Sequence, residues 1–174
     1  MGTTLRKLLP KLFPDFHEFE HWLIINHQGK SDLERSYPRK MQEWREPGVR
    51  FMILRDNDGA DCVAMKKQLV AKIPNNAPEY LVRIVCQELE SWFLGDMDAV
   101  AEAFPGAHRH NMFKTISKRD PDKLTNASEL VRQLTGTHIK VGRADKIAKC
   151  MEPAINRSAS FHVFVNGLTK LFTE

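Results

Sequence analysis

The stretch Val49–Lys66, VRFMILRDNDGADCVAMK, contains the change of pattern that decides the fold. A nearly unbroken apolar run ends at Asp56–Gly59, four residues of the kind that form turns. An amphipathic pattern begins directly after Asp61. We interpret the stretch as a buried parallel strand, Val49–Leu54, an acidic turn, and a helix capped by Asp61.

Asp56 and Asp58 place two carboxylates one residue apart at the end of this strand. Strand ends of this kind face the crevice where α/β proteins bind ligands. Because the two charges repel each other, a cation, a proton or open water must offset them. Mg²⁺ prefers carboxylate oxygens and retains several waters, so one interpretation is an acidic metal site. The alternative is a polar turn, since Asp-Asn-Asp-Gly is suitable turn chemistry on any surface loop.

A second acidic cluster follows the next predicted strand, Tyr80–Cys86. Glu88 and Glu90 flank an apolar Leu89, and Asp96 can cap a further helix. Taken alone, the two glutamates could simply complement the dipole of a helix that begins there. Two acidic clusters at two strand ends of one sheet favour a bound cation more than either cluster alone.

The remaining pattern predicts an α/β part followed by a helical part. We expect an α/β core over residues 1–104 and a helical C-terminal extension over residues 105–174, packed on the core. A short buried strand is predicted at His21–His27. The predicted helices are Thr3–Phe13, Asp32–Trp44, Met97–Phe104, Glu129–Thr135, Ala144–Met151 and Phe161–Phe172.

Bulk composition narrows the class of protein. The chain has 174 residues, a formal net charge of +4 and three cysteines. This length suits one domain, and the mild positive charge favours an anionic partner. No stretch is long and apolar enough to predict a membrane span or a signal peptide, and the cysteines show no pairing pattern. We therefore expect a cytoplasmic protein with buried thiols.

Four stretches resemble the DUF4276 family, uncharacterised prokaryotic proteins thought to have a TOPRIM-like fold. They are ILRDNDGADCVAMK (53–66), VRIVCQELESWFLGDMDAV (82–100), RDPDKL (119–124) and NRSASF (156–161). The resemblance extends from about residue 5 to the C-terminus, and ELESWFLGD is its most specific part. It implies a small parallel sheet with helices on both faces, similar to the catalytic domains of topoisomerases and primases.

The resemblance also implies a site. In TOPRIM domains an Asp-x-Asp ends the third strand, and metal bridges these acids to a phosphodiester. Asp56 and Asp58 match that pair, and Asp61 is an acidic residue just after it. Glu88 and Glu90 match the acidic pair after the fourth strand. The resemblance thus implies a nuclease dependent on Mg²⁺ or Mn²⁺, with Asp56, Asp58, Glu88 and Glu90 catalytic and with Asp56, Asp58 and Asp61 as metal ligands.

Partners follow from the same resemblance. Nucleic acid is the expected substrate. Apart from the resemblance, Lys30, Lys66, Lys140 and Arg143 are candidate phosphate contacts, and the alternative for each is an ordinary solvated charge. Related families occur in mobile-element and phage-defence settings beside an ATPase, which would be a protein partner.

One part of the family pattern is missing from this sequence, namely the first strand with its glutamate. Three explanations are open: the sequence starts inside a longer gene, the neighbouring strands close up, or a second chain supplies the strand. The missing glutamate leaves an alternative function, a degenerate subunit that binds nucleic acid or an ATPase without cleavage. A phosphate-accepting Asp56 is a weaker alternative, because no Lys or Thr closes the strand at Cys86.

Overall fold

The computed structural model describes residues 1–173 and shows a mixed α/β protein. In its first part, two helices precede the first strand and a third helix separates the two strands. These elements are α1 (Gly2–Leu12), α2 (Lys30–Glu43), β1 (Phe51–Asp56), α3 (Cys62–Val70) and β2 (Tyr80–Val85). The predicted fold class, a small parallel sheet flanked by helices, is confirmed.

The rest of the described chain is helical. It contains α4 (Glu90–Gly95), α5 (Met97–Ala103), α6 (Phe113–Ile116), α7 (Ala127–Thr135), α8 (Lys140–Cys150) and α9 (Ala159–Thr173). Single 3-10 turns lie at Ala107–Arg109, Pro121–Lys123 and Pro153–Ile155. None of the helices in residues 1–173 is long and apolar enough to cross a membrane.

β1 and β2 pair directly in parallel, from Phe51 opposite Tyr80 to Asp56 opposite Val85. Because the strands are parallel, their carboxyl ends lie at the same edge of the sheet. The acidic turn and the start of α4 are therefore neighbours.

Helices cover both faces of this sheet, as the alternation of side chains requires. On one face, Ile53 and Val82 pack against residues of α2 and α3, including Tyr37, Met41 and Leu69. The opposite face belongs to a larger core. That core includes Leu8, Val85, Trp92, Val100, Val131, Ile147 and Phe161.

The helical part contributes directly to the larger core. α8 packs against α1 and α5, α7 packs against α4, and α9 packs against β2. Apolar residues from both sides of residue 104 thus form a single cluster.

The strand predicted at His21–His27 is wrong. The segment has no regular strand pairing; its one ladder contact is an isolated bridge between Glu18 and Trp22. Trp22 and Ile24 do pack against the larger core, whereas Leu23 and Ile25 are exposed. The prediction of a buried strand fails on both counts, because two of the four apolar residues are exposed and no neighbouring backbone accepts regular hydrogen bonds from the segment.

Candidate active site at the carboxyl edge of the sheet

The acidic turn after β1 is tied to the end of β2. The backbone N–H of Asn57 donates to Val85 O at 3.0 Å, and that of Asp58 donates to Gln87 O at 3.0 Å. Asn57 is buried, and its Nδ2 donates to Ala60 O at 2.7 Å, which closes the turn. Asp58 and Gln87 both have left-handed backbone, with φ of 49° and 61°. Such conformations cluster at functional sites because the surrounding structure must hold them in place.

Asp56 has a strongly perturbed carboxyl group at this edge. Its Oδ1 is buried and has no hydrogen-bond partner among the described residues. Burial, followed by the charges of Glu90 and Asp58, raises the pKa of Asp56 to about 6. A buried acceptor without a partner is costly, so this oxygen is suited to a cation or a proton.

Glu90 brings the second acidic cluster to the same place. It is the first residue of α4 and is only 2 % exposed. Its charge acts on Asp56, as the raised pKa of Asp56 records. The following side chain, Ser91, is also buried with no partner for its Oγ in residues 1–173. The two acidic clusters predicted to share a sheet edge are thus close enough for the charge of Glu90 to act on Asp56.

Three of the four predicted phosphate contacts also lie at this edge. Lys140 Nζ is 3.2 Å and Arg143 Nη2 is 3.8 Å from Glu90 Oε1. Lys30 Nζ is 3.1 Å from Asp58 Oδ2. Arg143 is buried and also donates to Thr137 O at 3.0 Å, whereas Lys140 and Lys30 are largely exposed. The cationic side chains that contact these acids thus come from two helices, Lys30 from α2 and Lys140 and Arg143 from α8.

The other predicted site residues have different neighbours. Glu88 Oε2 accepts from the backbone N–H of Ser128 at 2.8 Å, at the start of α7. Asp61 caps α3, since its Oδ1 accepts from the N–H of Ala64 at 2.6 Å. Lys66 is exposed on α3, and none of the ion pairs of residues 1–173 includes it. The predicted cap on α3 is confirmed.

The fit of a metal ion can be judged from these side chains. Within the described chain, no group of three or more His, Cys, Asp or Glu side chains is arranged to hold an ion. The predicted set Asp56, Asp58 and Asp61 is therefore not a preformed cage. The unpartnered oxygen of Asp56 beside Glu90 does fit Mg²⁺, which proteins commonly bind through one or two carboxylates plus waters.

Asp122 is a polar centre that the sequence interpretation missed. It accepts from Ser158 Oγ at 2.7 Å, from Ser160 N at 2.8 Å and from Ser160 Oγ at 3.1 Å. Ser160 Oγ in turn accepts from Trp92 Nε1 at 3.0 Å. The available signal was in the RDPDKL and NRSASF stretches, since an aspartate and two serines are typical partners for helix starts. Their role here is to hold the start of α9 against α4.

Comparison with known proteins places the chain in a family. The model of the family described as "Domain of unknown function (DUF4276)" matches residues 1–169. No curated protein and no solved structure was found to match the chain. A match over nearly the whole length shows that this chain belongs to the DUF4276 family.

Proposed function

We propose that this protein is a Mg²⁺- or Mn²⁺-dependent phosphoryl-transfer enzyme that cleaves nucleic acid. The single observation that carries the proposal is the buried, unpartnered Oδ1 of Asp56, whose pKa the charge of the buried Glu90 helps to raise. A site that binds a hard divalent cation needs such acceptors, and a site for a phosphodiester needs cations beside them.

Each residue has a role in this proposal. Asp56 and Glu90 would hold the ion, whose chemistry is to lower the pKa of bound water and to stabilise charge on phosphate oxygens. Lys140 and Lys30 are exposed enough to leave their carboxylates and contact a phosphate. Arg143 is buried behind Glu90 and would keep that carboxylate oriented.

Ion binding is the first test. Thermal stability of the wild-type protein is followed while Mg²⁺ or Mn²⁺ is added, because a ligand that binds only the folded state raises the melting temperature. We expect a rise that Asp56→Asn abolishes. Asp15→Asn, which changes an exposed aspartate in a loop, serves as the matched control and should respond like wild type. If the melting temperature of Asp56→Asn rose as much as that of wild type, the ion would not bind at this edge of the sheet.

Cleavage is the second test. Supercoiled plasmid and single-stranded RNA are incubated with wild type, Asp56→Asn and Asp15→Asn in Mg²⁺, Mn²⁺ or EDTA. Metal-dependent nicking by wild type and Asp15→Asn, lost in Asp56→Asn, is the expected result. Equal nicking by all three proteins would contradict the proposal.

A second candidate function is binding without cleavage, to nucleic acid or to an ATPase partner. It is favoured by the ion pairs, since Lys140 and Arg143 already neutralise Glu90 and Lys30 already neutralises Asp58. Affinity for DNA that falls steeply with salt, without any nicking, would support it.

A role in phage defence is proposed from the resemblance alone. It is tested by the efficiency of plating of phages on cells that express the wild-type protein or its Asp56→Asn variant. We expect fewer plaques with wild type, and equal plating on both would contradict the proposal.

A further inference from the structure

Two cysteines from different elements lie next to each other at the carboxyl edge of the sheet. Cys62 is the first residue of α3, and Cys86 follows the last residue of β2. Their Sγ atoms are 3.8 Å apart, and both side chains are partly exposed. The third cysteine, Cys150, lies at the end of α8 and provides an internal comparison.

The two thiols differ in their surroundings. Burial raises the pKa of Cys86 to about 12, and the contact with Cys62 adds to this effect. Cys86 is therefore the less reactive thiol toward an oxidant and is suited to the second step, in which it attacks an already oxidised Cys62. Cys62 lies beside the exposed Val63 and receives a hydrogen bond from Asn57 Nδ2 at 3.2 Å. A small oxidant should therefore react first at Cys62.

We propose that Cys62 and Cys86 are an oxidative modification site that a hydroperoxide converts into a reversible disulfide. The two sulfurs are 3.8 Å apart and must approach to about 2.0 Å for the bond to form. This inference does not depend on the function proposed above.

The reaction balances with hydrogen peroxide as the oxidant. Cys62 sulfur attacks one peroxide oxygen, a sulfur–oxygen bond forms, the oxygen–oxygen bond breaks, and hydroxide leaves with the thiol proton as water. Cys86 sulfur then attacks the sulfenic sulfur of Cys62. The sulfur–sulfur bond forms, the sulfur–oxygen bond breaks, and the second hydroxide leaves with the proton of Cys86. Two thiols are oxidised by two electrons, and one peroxide becomes two waters.

The disulfide would also change the acidic turn. Cys62 Sγ accepts from Asn57 Nδ2, and the same amide nitrogen closes the turn through Ala60 O. When Sγ moves toward Cys86, this hydrogen bond is weakened or lost. Oxidation of Cys62 and Cys86 would therefore alter the side-chain hydrogen bonds of Asn57 in the turn that follows Asp56.

The test uses the full-length reduced protein, treated with hydrogen peroxide and analysed by intact mass and thiol titration. We expect wild type to lose the mass of two hydrogen atoms and its free thiols to fall from three to one, with full reversal by dithiothreitol. Cys150→Ser is the matched control and should lose the same mass. Peptide mapping of the oxidised wild type should link the peptides of Cys62 and Cys86, a measurement that needs no variant to fold.

Single variants test the order of the two steps. Cys86→Ser should stop at a sulfenic acid on Cys62, which dimedone traps. Cys62→Ser should react with peroxide at least about tenfold more slowly than wild type. The proposal is overturned if wild type gains oxygen atoms without forming the link, if the link joins Cys150 or a second chain, or if Cys62→Ser reacts at the wild-type rate.

Discussion

At the scale of single residues, Asp56 and Glu90 show that two buried acidic side chains can differ in how their charges are compensated. Both are carboxylates at strand ends, and both are among the residues predicted from the sequence. Glu90 has cationic partners, whereas one oxygen of Asp56 has no partner in the described chain. Glu90 is thus paired directly with cations, whereas the Met1 ammonium and Lys140 act on Asp56 without a hydrogen bond to its Oδ1.

Asp56 should make the free energy of unfolding depend on pH. The pKa of Asp56 is raised in the folded state to about 6, so the folded protein holds this proton more tightly than the unfolded chain does. The contribution of Asp56 to stability is therefore most favourable below about pH 4, the ordinary aspartate range, and is lost as pH rises through about 6. Asp56→Asn should remove this loss and stabilise the metal-free protein at pH 7.5 by on the order of 2 kcal/mol. Urea unfolding in EDTA at several pH values measures it, and a variant less stable than wild type at pH 7.5 would contradict it.

Glu90→Gln should have the opposite effect at neutral pH. The substitution leaves the buried guanidinium of Arg143 without its carboxylate, and removing one partner of a buried pair costs about 3 kcal/mol. The midpoint of urea unfolding measures the loss. Glu129→Gln is a matched control, because Glu129 pairs with Arg132 at the surface and such pairs contribute about 0.5 kcal/mol. Equal effects of the two variants would show that Glu90 is not effectively buried.

At the scale of elements, Asp61 at the start of α3 has a structural role, unlike the candidate metal ligands Asp56 and Glu90. Asp61 is committed to the N–H of Ala64. Asp61→Ala should cost about 1 kcal/mol through loss of the cap, and Asp61→Ser should restore most of it. Neither variant should change the thermal response to Mg²⁺ that Asp56→Asn abolishes. If Asp61→Ala also abolished that response, Asp61 would be a metal ligand, as the sequence first suggested.

Secondary structure was predictable where the local pattern was sufficient. β1, β2, α3 and the Asp96 cap on α5 all occur at or near their expected positions. The strand predicted at His21–His27 does not form, because a strand needs a pairing strand that is distant in sequence. A local sequence pattern contains no information about such a partner. A buried apolar alternation can equally belong to an irregular segment that packs through its side chains.

At the scale of the whole molecule, the two sequence halves share a core. Trp92 in α4 packs against Phe161 and Phe164 in α9, with ring centroids 5.2 Å and 4.9 Å apart. We therefore expect one cooperative unfolding transition, with tryptophan fluorescence and far-ultraviolet circular dichroism changing together. The fragment 1–104 should not fold alone, because it would expose the side of this core that α7, α8 and α9 cover. Two separated transitions, or a folded fragment, would contradict this.

The sequence by itself determined the fold class, the two acidic clusters, and the family resemblance that the family match later confirmed. These properties are local, since they depend on hydrophobic period, turn chemistry and helix caps within short stretches. Only the tertiary structure decided which acids meet, that Arg143 lies buried against Glu90, and that Cys62 faces Cys86. Those facts depend on contacts between residues distant in sequence, and a distance in space cannot be read from spacing along the chain.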